Sequence, residues 1–99
     1  MTDKESISLA LRAAIAEAVE LLESVGEEHW ARILREFRFD GFEGERVMVV
    51  FGGMGSFTDL IIDPINGHRV HPDRVAEMNL RLRQVRHRIY ELAWELSRE

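Results

Sequence analysis

The stretch VMVVFGGMGSFTDLII, residues 47–62, decides how this chain is read. Val47 to Phe51 is an unbroken β-branched and aromatic run that ends at glycine, which predicts a strand. Phe57 to Ile62 predicts a second. Between them Gly52, Gly53 and Gly55 supply the backbone freedom a tight connection needs, so the stretch is expected to form a β-hairpin. A phosphate cradle is the rival reading. It requires the glycines to open a helix, where amides and dipole act together. Here a strand pattern follows them, no Gly-Lys-Ser/Thr ending is present, and the spacing is not G-x-G-x-x-G.

Asp59 is the odd residue within the second run. Alternation sets Phe57, Asp59 and Ile61 on one face and Thr58, Leu60 and Ile62 on the other. An acid between Phe and Ile sits at an exposed edge or is buried with hydrogen-bond donors. The expectation is a structural carboxylate that fixes the turn through its amides or the Ser56 hydroxyl. The alternative is a small-ligand or enzyme site built from Gly53, Gly55, Ser56, Thr58 and Asp59.

Phe51-Gly52-Gly53-Met54-Gly55-Ser56-Phe57, one variable residue, then Asp59-Leu60 resembles the central motif of a family of small bacterial domains of unknown function. Trp30, Asn66-Gly67-His68 and the Leu/Arg-rich segment ending near Tyr90-Glu91-Leu92 extend the likeness over roughly residues 20 to 96. Thr58 stands where that motif carries Asn. The resemblance implies homology and a bacterial origin, and it brings no activity with it.

Upstream of the stretch, Ile7, Leu11, Ala14, Ile15, Ala18, Val19 and Leu22 recur at steps of three and four, which predicts an amphipathic helix. Thr2 and Glu5 have capping-box spacing, and Gly26 fits the helix end. Trp30, Ile33, Leu34 and Phe37 predict a second helix, so the two should form a helical hairpin. Downstream, Pro64 and Asn66-Gly67 are turn residues, and Val70 belongs to a possible short third strand. His68 and His71 lie in a segment broken by Pro64 and Pro72 and lack any metal-ligand frame, so an exposed loop is expected there. No elbow motif or neighbouring histidine activates Ser56.

The last segment carries two stripes. Val75, Met78, Leu82, Val85, Ile89, Leu92 and Leu96 form a heptad seam, which predicts one long helix packed along another. Ala76, Leu80, Arg83, His87, Tyr90 and Trp94 lie roughly opposite. That second stripe should meet the sheet, or form an interface, since Arg, Tyr and Trp are enriched at binding hot spots. Arg81 and Arg88 flank the seam and are expected to pair with the acids of the first two helices.

Composition bounds the rest. The 99 residues allow one domain, 1–99, with a single core. The net charge is −5, and ten acids against five bases in residues 1–44 account for it. That balance argues against nucleic acid as partner. No cysteine is present, which removes disulfides and thiol chemistry. No apolar run is long enough to span a membrane, and the polar start lacks the pattern of a secretory signal. The combined expectation is an α+β cytosolic domain with an N-terminal helical hairpin, a β-hairpin and a long C-terminal helix. It uses no metal or cofactor and serves as a protein-interaction module. A homodimer through Leu80, Arg83, His87, Tyr90 and Trp94 is the leading form, and an immunity or antitoxin-like protein masking a basic partner is the other.

Overall fold

The computed structural model describes residues 4–37, 47–48 and 57–98. Three helices dominate it: α1 (Lys4–Ser24), α2 (Glu28–Arg35) and α3 (Val75–Ser97). Three short 3-10 turns, Phe57–Asp59, Pro64–Asn66 and Pro72–Arg74, lead into α3.

The expected α+β class is therefore wrong: no strand occurs among the described residues. Val47 and Met48 are helical, Phe57–Asp59 is a 3-10 turn, and Leu60 to Asp63 is not in a strand. Val70 is not in a strand either. Val49 to Ser56, including the glycine turn, lies outside the described residues. Short apolar runs such as 47–51 carry no period that separates a strand from a buried helical segment. Val47 has no exposed surface, as either conformation would allow.

Ile7, Leu11, Ala14, Ile15, Ala18, Leu21 and Leu22 form the buried face of α1. The helix ends in a Schellman motif. Gly26 has φ +74, its N–H bonds the Glu23 carbonyl at 3.1 Å, and the Glu27 N–H bonds the Leu22 carbonyl at 2.9 Å. Glu27 then caps α2, accepting the Trp30 N–H at 3.1 Å. One short turn thus closes one helix and opens the next.

α3 runs antiparallel to α1, with Arg88 paired to Glu17 midway and Met78 lying near Leu21 and Ser24 at the far end. Its seam is the expected one. Met78, Leu82, Val85, Ile89 and Leu96 are buried, joined by Ala93, while Val75 and Leu92 are partly buried. These residues, the α1 face, Ala31 and Leu34 of α2, and Phe57 and Ile62 make one core.

Candidate functional site

The run from Phe57 to Ile62 has the composition of a strand, but it and the turn that follows satisfy their backbone largely through side chains. The Arg86 Nη1 group donates to the carbonyls of Phe57 and Leu60, both at 2.9 Å. Asn79 makes a two-way clasp on Ile62: Oδ1 accepts the N–H and Nδ2 donates to the carbonyl, each at 2.8 Å. Nδ2 also donates to the Val75 carbonyl one turn back. Asn66 Nδ2 donates to the Ile61 carbonyl, and the Asp63 N–H donates to His68 Nδ1 at 3.1 Å. Buried backbone groups must find partners, and here four side chains replace a sheet ladder.

His68 is the pivot of this arrangement. It is 7% exposed, not in the exposed loop expected from its turn-rich neighbours. Nδ1 accepts an N–H and therefore carries no proton, so Nε2 carries it and donates to Glu27 Oε1 at 2.9 Å. The same carboxylate caps α2 through its other oxygen. Burial acts to raise the Glu27 pKa, but the hydrogen bonds from His68 and the Trp30 N–H outweigh it and hold it below the usual glutamate value. Next along, the Arg69 N–H donates to the Val25 carbonyl at 2.8 Å. The downstream segment is thereby clamped onto the α1–α2 turn. His71 is exposed and accepts the Asp73 N–H, capping the turn before α3.

Arg86 stands under a groove of about 260 Å³ lined by Thr58, Arg83, Arg86, His87 and Tyr90. Phe57 is wedged between Arg86, whose guanidinium lies 5.8 Å from the ring centroid, and Trp30, whose ring centroid is 5.3 Å away. Burial lowers the Arg86 pKa below the usual arginine value, repulsion from Arg83 adds to this, and Asp59 opposes it. The guanidinium stays cationic.

The sequence-predicted residues fall into three groups. Gly53, Gly55 and Ser56 lie outside the described residues. Thr58 joins Arg83, His87 and Tyr90 in the groove, a juxtaposition no spacing in the sequence announces. Asp59 is exposed at the end of its 3-10 turn and so is not a buried carboxylate. Among the described residues the second stripe of α3 meets no sheet: Leu80 is 47%, Tyr90 41% and Trp94 47% exposed, and Arg83 and His87 are exposed as well. The Arg98 guanidinium lies 4.5 Å from the Trp94 ring centroid, and His87 pairs with Glu91. Asn79, Glu27 and Arg86 were not singled out as structural residues from the sequence. A weak signal existed for Asn79, a poor helix former set directly against the seam.

Residues 23–71 match the model of a family described as a domain of unknown function (DUF6966). The match is consistent with an uncharacterised domain family. It begins at the α1 end, takes in Glu27, α2, Ile62 and His68, and stops at His71, before α3. No curated protein and no solved structure matches the chain. Among the described helices none is long and apolar enough to cross a membrane.

Proposed function

We propose that this chain is a protein-interaction module that pairs with a second copy of itself through the outer face of α3. The observation that carries the reading is the exposure of Leu80, Tyr90 and Trp94 on the side of the helix opposite its buried seam. At about 100° per residue, Leu80, Arg83, His87, Tyr90 and Trp94 fall within about 80° of one another. Large apolar and aromatic side chains gathered on one face favour burial against protein.

Charge favours a second copy as the occupant. Glu77, Gln84, Glu91 and Arg98 recur every seven residues along one edge of the face, with an acid at its start and a base at its end. An antiparallel copy sets Glu77 opposite Arg98 of the second copy and Gln84 opposite Glu91, twice over by symmetry. In the single chain Glu77 pairs with Arg74, and Arg98 rests on Trp94.

Light scattering on a size-exclusion column tests the proposal. The chain should elute with twice its 11.5 kDa mass at high micromolar concentration. Leu80→Glu and Trp94→Glu should each halve that mass without loss of helical circular dichroism, because neither side chain belongs to the core. A wild-type monomer at that concentration refutes the pairing.

A further inference from the structure

His68 is a buried titratable group with both ring nitrogens bonded inside the fold. Its side chain is 4% exposed, and the two nitrogens serve two different elements. Nδ1 accepts the Asp63 N–H at 3.1 Å, which ties the ring to the start of its own turn. Nε2 donates to Glu27 Oε1 at 2.9 Å, which ties the ring to the α1–α2 turn. That arrangement fits the neutral imidazole alone. A second proton can enter only at Nδ1, and a nitrogen that carries a proton cannot accept one. None of these groups belongs to the outer face of α3, so the pairing proposed above does not enter.

The charged groups around the ring decide where an added proton goes. Among the described residues, Glu27 faces the ring from the α1–α2 turn and Asp63 from its own turn. His29 acts on Glu27 from the first turn of α2, and the Arg69 guanidinium lies beside Gly26. Glu27 accepts from His68 and from the Trp30 N–H, and these bonds keep it ionised below the usual glutamate range. Imidazoles ordinarily take up a proton at higher pH than carboxylates do. On acidification the proton therefore goes to the ring, and the Glu27–His68 contact becomes a charged pair. The Asp63 N–H then faces another N–H and loses its acceptor.

We propose that His68 is a proton-operated switch of the 63–68 turn. In the neutral state the ring accepts the Asp63 N–H, while the Asp63 carboxylate accepts the Ile65 N–H at 3.0 Å and caps the Pro64–Asn66 turn. In the charged state Nδ1 is a donor and the Asp63 N–H is released. The Asp63 carboxylate, which belongs to the same turn, rotates from the Ile65 N–H to the new Nδ1–H. One proton thus exchanges the two roles of Asp63. Both flanks are held by other bonds: the Arg69 N–H donates to the Val25 carbonyl at 2.8 Å, and Asn79 clasps Ile62. The change is confined between those anchors. What it moves is Ile65, an apolar side chain 88% exposed within the turn, so pH sets how this side chain is presented to solvent.

The test is NMR of the imidazole and amide groups of the isotope-labelled full chain, titrated from about pH 8 to about pH 4.5, a range that brackets ordinary imidazole protonation. At the upper end the His68 ring should show the Nε2–H form alone. On acidification its Nδ1 signal should move to the protonated position, and the Asp63 and Ile65 amides should shift with the same midpoint. The Ile65 amide should then lose about tenfold in protection, measured against an unfolded chain at the same pH, as befits one lost hydrogen bond. The Arg69 amide should keep its protection. His29, His71 and His87 are exposed and serve as references in the same spectra. Asp63→Asn retains a capping oxygen but removes the charged acceptor, so it should lower the His68 midpoint by about one pH unit. The switch is overturned if the ring keeps the Nε2–H form alone throughout, or if it titrates while the Asp63 and Ile65 amides stay in place. An unchanged His68 midpoint in Asp63→Asn overturns it as well.

Discussion

Asn79→Ala is the sharpest test of how the segment from Phe57 to Ile62 is held. The Ile62 side chain is fully buried, and both its backbone groups are bonded to one side-chain amide at 2.8 Å. Truncation leaves an N–H and a C=O without partners in a site that packs against α3. Each unsatisfied buried group costs about 1–3 kcal/mol, and partial access of water to this edge favours the lower half of that range. The expected loss is therefore about 2–4 kcal/mol, a large share of the roughly 5–15 kcal/mol typical of a domain. With about 4–8 °C per kcal/mol for a domain of this size, the melting temperature should fall by at least 8 °C or so. Urea unfolding followed at the tryptophans measures the change directly, and hydrogen exchange localises it, because the Ile62 amide should lose protection before the α1–α3 amides do. Asn79→Asp separates the two bonds: it keeps an acceptor for the Ile62 N–H but turns an oxygen toward the Ile62 carbonyl, so it should destabilise at least as much as alanine. If Asn79→Ala unfolds within about 0.5 kcal/mol of wild type, the clasp contributes nothing beyond an ordinary surface contact.

Two further predictions concern the α1–α2 turn. The Glu27 carboxyl is held below its ordinary pKa, so its contribution is fully present above the unfolded glutamate range and is lost as pH falls through the lowered folded value. Glu27→Gln should remove that part of the acid dependence, and identical urea midpoint-against-pH curves below pH 5 or so would refute the assignment. Gly26→Ala should cost about 1–2 kcal/mol from the left-handed backbone alone. An added Cβ would also lie 2.9 Å from Arg69 Nε, the movable end of a long side chain, so Arg69→Ala should relieve only a minor part of the loss in the double variant.

Much of the helical frame was legible because periodicity reports burial directly. Leu11 and Leu22 in α1, and Leu82 and Ile89 in α3, stand at the spacing that puts them on one side of a helix, and each has no exposed surface. Gly26 was legible for a different reason: a helix that turns back within three residues needs a positive φ, and glycine supplies it most cheaply. Residues 57–62 were misread because β-branched and aromatic composition marks a half-buried extended segment without naming its hydrogen-bond partner. Leu60 to Ile62 is such a segment, and its partners are Arg86 and Asn79, more than fifteen residues away on a helix. Nothing local to the run distinguishes those partners from a neighbouring strand.

By itself, then, the sequence settled which faces of α1 and α3 turn inward, where the first helix stops, and that the last helix has a second side unlike an ordinary solvent face. These depend on interactions a few residues apart, which pattern and backbone geometry encode. The tertiary structure alone decided that an extended run is clasped by side chains instead of paired in a sheet, that His68 is buried against Glu27, and that Thr58 meets Arg83 and Arg86 across a groove. Those contacts join residues 17 to 41 positions apart, and their energy comes from satisfying polar groups wherever the packing of the helices happens to bring them together.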